Sequence, residues 1–453
     1  MSKEISIKKG LKINLFGEAK LSTSSLDFSN SAKKFVVKPT DFHSLVPKLL
    51  VKVGDKVLAG TALFYDKDNE KITFSSPVSG VVTDIVRGAK RKILEVVIES
   101  DGKLSYKKFK IENSNLSNKE YIIEKMLEAG VWPFIRQKPY DVIANPNDIP
   151  KSIFISAFDS APLSIDNTYA VEGKNDLFQK GLDIITKLTD GKTHLNIDRN
   201  ASVSKVFENV SGVEVNKFDG PHPSGNVGVQ IHHIDPINKG DVVWYLYPQD
   251  VITIARLFNE AKYNVSKIVA LAGPQVKDPQ YYNIISGMSV SHLLENNIIG
   301  NNNRVISGNV LTGDKIENDG NIGFYDTTIS VIEEGDKQEF FGWILPGLNK
   351  FSASKTFFSW LSPKKKYNIT SNMHGEERAY VVSGAYEKVL PMDIYPLQLI
   401  KSIMIEDIEQ MENLGIYEVA PEDFALCEFV CTSKIEVQSI IRHGLDLVRK
   451  ENS

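Results

Sequence analysis

Residues 51–86 read "VKVGDKVLAGTALFYDKDNEKITFSSPVSGVVTDIV", and this stretch decides the fold of the first part of the chain. Apolar and polar residues alternate there in short runs, and the runs end at turn residues such as Gly54, Gly60 and Gly80. Short alternating runs separated by glycine are typical of strands joined by tight turns. The sequence therefore predicts a small all-β module from about residue 36 to residue 99.

The two halves of this module resemble those of the hammerhead, or biotinyl/lipoyl-like, domain. The pattern that carries the resemblance is V-x-x-G-D-x-V-x-x-G-x-x-L, followed after a short loop by P-x-x-G-x-V. In swinging-arm proteins this loop presents a modified lysine, and here the loop "YDKDNEK" offers Lys67 and Lys71. Neither lysine is flanked by the Met-Lys-Met or Asp-Lys-Ala signature of a modified site. The two are therefore either carrier lysines or solvated residues of a hairpin.

Length and composition indicate a folded protein of several domains. A chain of 453 residues exceeds one ordinary domain of about 150 residues, and 42% hydrophobic content is typical of globular proteins. The net charge of −4 gives no sign of a nucleic-acid partner. Two cysteines argue against a disulfide framework and favour a reducing compartment.

The same sequence shows no membrane-spanning or export signal. No apolar run reaches the roughly 18 residues that a transmembrane helix needs, and the charged N-terminal segment has no signal-peptide core. We therefore expect a cytoplasmic protein that reaches a membrane only through a partner or a surface.

Three further regions follow the β module. Helical and strand-like patterns alternate from about residue 121 to residue 258, which predicts a doubly wound, Rossmann-like α/β layer. The next region favours a β-grasp-like, soluble-ligand-binding module, and an irregular stretch then precedes sequence with helical periodicity. The sequence thus predicts a multidomain protein of the α+β and α/β classes. Its expected domains are residues 1–110, 111–262, 263–350 and 351–453.

The α/β layer contains no recognisable nucleotide loop. Neither G-x-G-x-x-G nor G-x-x-x-x-G-K-[ST] occurs where a strand meets a helix, and "AGVWPFIRQKPY" occupies such a position. Its prolines lack the N–H groups that a phosphate needs. Trp132 and Phe134 could hold an apolar or quinone-like ligand, with Arg136 near a carbonyl or a partner carboxylate. Alternatively, the segment is a packed loop that fills a former site.

Three of the eight histidines lie close together in "FDGPHPSGNVGVQIHHIDPIN", residues 218–238. His222, His232 and His233 lie near two aspartates, as in some metal sites. If His232 and His233 lie on a strand, however, they point to opposite faces and cannot easily share a ligand. A metal site and a structural or interface loop both remain open. No H-E-x-x-H, G-x-S-x-G or C-x-x-C motif is present.

The two cysteines, Cys427 and Cys431, are four residues apart in a segment predicted to be helical, so both thiols would share one face. A zinc site or an iron–sulfur cluster generally needs four ligands, and this pair supplies at most half of them. A disulfide across one helical turn would be strained. We therefore expect two reduced, buried cysteines.

The order of these units resembles one family, the A subunit of the sodium-translocating NADH:quinone reductase. The stretches that carry the resemblance span most of the chain; they are "VKVGDKVLAG", "SSPVSGVV", "AGVWPFIRQKPYD", "GPHPSGNVGVQIHHIDP", "LAGPQVKDP" and "LCEFVCTSKIEVQSIIRHGLDLVRKE". The family is similar in architecture to the C subunit of the Rnf complex and to the flavin subunit of complex I. Those relatives carry a glycine-rich flavin and NADH loop and cysteine-rich cluster sites. This sequence has neither.

The resemblance implies a protein that kept the architecture and holds no cofactor. It implies a peripheral location on the cytoplasmic face of the bacterial inner membrane, docked on the quinone-handling membrane subunit of a complex that oxidises NADH, reduces quinone and exports sodium. NADH, flavins and iron–sulfur centres would belong to partner subunits, so we assign no catalytic residue and no metal ligand here. Trp132, Phe134 and Arg136 are the residues expected near quinone. The alternative is a stand-alone oxidoreductase that uses flavin or a carrier lysine.

Overall fold

The structure is a computed structural model that describes residues 3–21, 26–27, 32–200, 205–336, 340–342 and 345–452. Short strands dominate its first region: β1 Glu4–Ser6, β2 Leu26–Asp27, β3 Lys34–Val37, β4 Pro47–Leu49, β5 Lys56–Val57, β6 Ala62–Asp66, β7 Thr73–Ser75, β8 Gly80–Arg87 and β9 Ile93–Ser100. Seven of them form two antiparallel sheets, ordered β3-β9-β8-β5 and β4-β6-β7.

These two sheets share one core, because Leu63 and Phe64 of β6 and Val82 of β8 are fully buried in the same apolar cluster. Gly54 and Gly60 adopt φ values of +94° and +95°, in the left-handed region where a side chain is strained. These two glycines thus mark real turns, whereas Gly80 is the first residue of β8. The prediction of a small all-β module is confirmed.

The second region alternates helices and strands around a larger sheet. Its elements are α1 Lys119–Ala129, β10 Arg136–Lys138, β11 Val142–Ile143, β12 Ser152–Ser156, α2 Asn167–Val171, α3 Asn175–Ile185, β13 Lys192–Asp198, α4 Lys205–Glu208, β14 Glu214–Asp219, α5 Val227–Ile234, β15 Val243–Leu246 and α6 Pro248–Glu260. The strand order is β1-β14-β13-β12-β15-β10-β11. Strands β12 to β15 are parallel, and the order reverses between β12 and β15. Ligands of such sheets bind outside the carboxyl ends of the strands at this reversal.

Helix α5 corrects one expectation from the sequence. His232 and His233 were expected on a strand, but they lie in the last turn of α5, which begins after Asn226 and packs against β12. The segment "VGVQIHHI" is short and rich in β-branched residues, so its local preference resembles that of a strand. Tertiary packing overrides this weak preference.

The third region is a mixed sheet with one short helix. Its elements are β16 Ser266–Ala272, β17 Gln280–Ile285, α7 Ser291–Leu294, β18 Asn303–Ser307, β19 Asp314–Ile316 and β20 Thr328–Glu333, and the strand order is β19-β18-β20-β16-β17-β2. Thus β2 extends this sheet and β1 extends the sheet of the second region, so the N-terminal strands join both neighbouring sheets.

The last region is irregular at first and then helical, as the sequence predicts. Its helices are α8 Pro396–Met404, α9 Ile408–Asn413, α10 Ala425–Val430 and α11 Val437–Glu451. The expectation of one helix through both cysteines is wrong, because α10 ends at Val430 and Cys431 has extended backbone angles. Among the described residues, no helix combines the length and the apolar character needed to cross a bilayer.

Candidate functional site

Arg136, at the start of β10, lies among three tyrosine rings. The Cζ atom of its guanidinium is 4.6 Å from the ring centroid of Tyr245, 5.3 Å from that of Tyr247 and 4.6 Å from that of Tyr325. Each ring attracts the cation through its negative face. The side chain of Arg136 is half-buried, and within the described part of the chain no hydrogen bond or ion pair to protein holds its guanidinium. The three rings therefore set the orientation of the guanidinium.

The turn after Arg136 brings a carboxylate to this cluster. Tyr140 and Asp141 join β10 to β11 with φ values of +79° and +53°, which non-glycine residues rarely adopt. The hydroxyl of Tyr245 donates a hydrogen bond to Asp141. Burial alone would raise the pKa of Asp141, but the charges of Arg136 and Lys138 hold that pKa below its ordinary value. Asp141 is thus an anion at neutral pH.

Lys138 forms a fully buried ion pair with Asp423. Its Nζ atom lies 2.9 Å from Oδ2 of Asp423, neither side chain is exposed, and Nζ also donates to the carbonyl of Glu418. Burial tends to lower the pKa of Lys138, but Asp423 raises it above the ordinary value. The pair lies against the first turn of α5, because a Cβ on Gly228 would be 2.3 Å from the Asp423 carboxylate. The last region is thereby attached to the α/β sheet.

Glu422, next to Asp423, is the carboxyl group of this cluster that titrates near neutral pH. Burial, together with repulsion from Asp423 and Asp141, raises the pKa of Glu422 to about 7. Its Oε1 atom is buried and has no hydrogen-bond partner in the described part of the chain. Its backbone carbonyl accepts a hydrogen bond from Asn226, the residue before α5. Glu422 can therefore exchange a proton at physiological pH.

Part of this cluster lies near the carboxyl end of β15, beside the reversal of strand order: Arg136 pairs with Tyr245, whereas Lys138 pairs with Val243, the first residue of β15. Tyr247 directly follows β15, and Asp159 lies in the loop after β12. The turn Pro421–Phe424 lies over the start of α5. It places the carboxylate of Asp423 at the helix N-terminus, which is the position that a bound anion would otherwise occupy. A phosphate at this position would meet a carboxylate, so the residues present do not suit a nucleotide.

The structure places the three residues expected near quinone in different environments. Trp132 is fully buried, packs edge-on against Trp244 with ring centroids 5.4 Å apart, and donates its indole N–H to the carbonyl of Ala144. Phe134 is also buried and lies 4.6 Å from Phe324 between ring centroids. Of the three residues, only Arg136 is partly exposed.

The three histidines of residues 218–238 do not converge. Nδ1 of His222 is 3.1 Å from the hydroxyl of Ser160, and burial lowers the pKa of His222 to about 4. Nδ1 of His232 lies 2.7 Å from a carboxylate oxygen of Glu418. His233 bonds to a backbone carbonyl of its own helix. No group of three His, Cys, Asp or Glu side chains in the described ranges could hold a metal ion.

Both cysteines are free thiols in the core of the last region. Burial raises the pKa of Cys427, and the hydroxyl of Tyr386 donates to the sulfur of Cys431 at 3.0 Å. The burial of Cys427 disfavours the thiolate form that metal binding needs. Lys67 and Lys71 are exposed on the hairpin between β6 and β7.

Most partners of Arg136 were not predictable from local sequence patterns. Lys138, two residues later on the same strand, was a usable signal, because two cations on one strand face require carboxylates nearby. The acidic pair in "PEDF", before α10, was a second signal. Tyr245 lies within β15, Tyr247 follows that strand and Tyr325 lies in the third region, so no local pattern connects them with residue 136.

The fold and this site define a class of protein. It is a multidomain α/β protein in which charged and aromatic side chains cluster around β10 and the end of β15, beside the strand reversal. Three family models match the chain: the NqrA N-terminal barrel-sandwich hybrid domain at residues 5–101, the NqrA second alpha/beta domain at residues 117–263 and the NQRA C-terminal domain at residues 268–318.

Whole-chain comparisons agree with these models. A relative from Pasteurella multocida, which is named as the A subunit of the Na(+)-translocating NADH-quinone reductase, is 37% identical over 450 residues, which cover 99% of this chain and 100% of the relative. A protein of the same name from Hahella chejuensis is 37% identical over 452 residues, with the same coverage. The chain belongs to the NqrA family. An NAD+-reducing [NiFe]-hydrogenase structure aligns with a TM-score of 0.39 at 9% identity, over 73% of this chain and 61% of the hydrogenase chain; a likeness this weak says nothing about function.

Proposed function

We propose that this chain is a peripheral subunit of a sodium-translocating NADH–quinone reductase on the cytoplasmic face of the bacterial inner membrane. Its relatives are named as the A subunit of that reductase, and they align with this chain from end to end. Within the complex, the chain supports quinone binding and docks on the quinone-handling membrane subunit. NADH oxidation, sodium transport and the flavin and iron–sulfur centres belong to other subunits.

The proposal includes the finer architecture. The two-sheet β module is of the hammerhead type, the α/β layer is Rossmann-like and the third region is β-grasp-like, with domain limits at residues 110, 262 and 350. The reversal of strand order between β12 and β15 supports the Rossmann-like assignment. The left-handed glycine turns support the hammerhead assignment.

The observation that carries the quinone proposal is the unpaired guanidinium of Arg136 among three tyrosine rings. A quinone is a flat ring with two carbonyl acceptors. The aromatic faces suit the ring, and the guanidinium N–H groups suit a carbonyl. Glu422, with its pKa raised by burial to about 7, lies close enough to act electrostatically on this cluster. Trp132 and Phe134 are buried and support the loop that leads to Arg136.

The test is substitution of Arg136 in the assembled complex. Arg136→Gln is expected to raise KM for quinone about tenfold or more, because a hydrogen bond from a charged donor contributes about 1.5–3 kcal/mol. Reduction of a water-soluble acceptor that bypasses quinone is expected to stay unchanged. Arg87→Gln, at an exposed arginine of β8, is the matched control. An unchanged quinone KM in Arg136→Gln would refute the quinone role.

The absence of a cofactor is tested on the purified chain. We expect an intact mass equal to that of the bare polypeptide and no visible absorption band. A flavin spectrum, or a mass increment that maps to Lys67 or Lys71, would instead support the stand-alone enzyme. Retention of the other reductase subunits on a tagged copy of the chain tests membership of the complex.

A further inference from the structure

The irregular segment before the C-terminal helices, residues 340–342 and 345–375, exposes many large apolar side chains. Phe340 is 86% exposed, Leu361 63% and Trp360 46%. Phe341, Leu345, Leu348 and Phe358 are each more than half exposed. Contiguous exposed apolar groups on a soluble protein indicate an interaction surface. We refer to this segment as the aromatic excursion.

The aromatic excursion is held together by its own hydrogen bonds. Nζ of Lys350 donates to the carbonyl of Gly342 at 3.0 Å. The backbone N–H of Phe358 donates to the carbonyl of Pro346 at 2.9 Å. Nζ of Lys365 donates to the carbonyl of Leu348 at 2.6 Å. These bonds connect residues up to 17 positions apart, so the segment is held as one folded unit.

This surface is also strongly cationic. Residues 340–375 contain five lysines, at positions 350, 355, 364, 365 and 366, and no acidic residue or arginine. Their net charge is +5 in a chain of net charge −4, so the remainder of the chain carries −9. Nζ of Lys355 lies 5.6 Å from the ring centroid of Trp360, so cation and aromatic ring are adjacent. Lys366 pairs with Glu18 of the N-terminal segment at 3.1 Å, and the other four lysines lie in the same segment as the exposed aromatic rings.

We propose that the aromatic excursion binds an anionic lipid surface. Tryptophan and phenylalanine insert at the boundary between headgroups and acyl chains, and lysines beside them contact anionic headgroups. An exposed polybasic cluster contributes attraction that neutral lipid does not provide. A specific protein interface is usually depleted of lysine, whereas lysine is the only charged residue type in this segment.

The inference draws on the proposed peripheral location, but its test uses the isolated full-length chain, so it can fail independently of the proposed function. Flotation is measured with phosphatidylcholine vesicles and with mixed phosphatidylcholine–phosphatidylglycerol vesicles at physiological salt. We expect binding to the mixed vesicles only. Raising the salt concentration is expected to weaken it, because screening acts on exposed charges.

Two variants separate the apolar and the ionic contributions. Phe340→Ser with Trp360→Ser removes exposed rings, and it is expected to abolish flotation without changing the melting temperature. Lys355→Gln with Lys364→Gln removes two exposed charges, and it is expected to weaken binding about 30-fold. Met404→Ser with Ile405→Ser, at exposed apolar residues at the end of α8, is the matched control and is expected to bind normally.

Two results would overturn the inference. The first is failure of the unaltered chain to bind the mixed vesicles. If the Phe340→Ser, Trp360→Ser variant then also fails to join the reductase, the surface is assigned to a protein partner. The second is equal loss of binding in the Met404→Ser, Ile405→Ser control.

Discussion

Arg136 has its backbone in a strand, its guanidinium among aromatic rings and a carboxylate nearby. The strand β10 fixes its backbone, and three tyrosines from two regions fix its guanidinium. The nearby anion Asp141 is held by the hydroxyl of Tyr245. The cation is therefore oriented in advance, and a ligand that binds it would lose little of its binding free energy to ordering this side chain.

Glu422→Gln is expected to change how stability depends on pH. The pKa of Glu422 is raised by burial from 4.5 to about 7, so the folded protein holds a proton that the unfolded chain has lost. This contribution to stability is complete below about pH 4.5 and is lost as pH rises through about 7. At about pH 8 the variant should be more stable, by up to about 3 kcal/mol.

The measurement is urea unfolding between about pH 4.5 and pH 8. Asp41 and Asp250 also have pKa values raised by burial, to about 7 and about 6, so the variant keeps part of the slope. Glu409→Gln, at an exposed glutamate of α9, is the control and should leave the slope unchanged. An identical slope in Glu422→Gln and the unaltered chain would contradict the assignment.

Elements with strong local signals were predictable from the sequence. Helix α1 ends at Gly130, which has a φ of +75°, and α6 starts with Pro248, as both patterns indicate. Elements with weak local signals were not predictable. Helix α5 has the composition of a strand, and α10 ends before Cys431 although the apolar pattern continues.

The candidate site was predictable only in part. The loop that contains Arg136 is conspicuous because it has proline and aromatic residues where a nucleotide loop could occur. The residues that surround the Arg136 guanidinium were not predictable, because Tyr325 comes from the third region and Glu422 comes from the last region. The position of Trp132 as a core residue and not a surface residue also depends on tertiary packing against Trp244.

At the scale of elements, α5 and the turn Pro421–Phe424 are in unusually close contact. Gly228 permits this approach, because a Cβ there would lie 2.4 Å from Nζ of Lys138 and 2.3 Å from the carboxylate of Asp423. The buried ion pair can therefore lie directly on the first turn of the helix. The contact joins the α/β sheet to the last region.

Gly228→Ala is expected to destabilise the protein by about 3 kcal/mol, because the ion pair must separate and leave buried charges without partners. This loss should exceed the gain of about 1 kcal/mol from the better helix propensity of alanine. Chemical denaturation measures the difference. Gly88→Ala, where the nearest atoms are flexible Leu94 methyl groups at 3.0 and 3.3 Å, is the matched control and should be nearly neutral. A neutral Gly228→Ala would show that the ion pair is not rigidly placed.

At the scale of the whole molecule, the N-terminal segment connects three regions. Strand β1 pairs with β14, Leu15 bridges to Tyr367 of the aromatic excursion, and Lys20 bridges to Gln280. Ile7, Ile13 and Leu15 are buried in the core that the last region shares with the α/β sheet. A segment of about twenty residues thus fixes the aromatic excursion relative to the sheets, although its sequence shows only a charged, weakly patterned stretch.

Leu15→Ala therefore tests the connecting role of this segment. Leu15 is 4% exposed, and its truncation should cost about 2–5 kcal/mol, whereas Phe16→Ala, at a residue that is 50% exposed, should cost less than about 1 kcal/mol. The backbone N–H of Tyr367 donates to Asn14 at 2.9 Å and that of Lys20 donates to Pro279 at 3.1 Å. Hydrogen exchange at both amides should accelerate in Leu15→Ala and not in Phe16→Ala. If both variants exchange alike, the segment lies on the surface without connecting the regions, and the aromatic excursion is positioned by its contacts with the C-terminal helices alone.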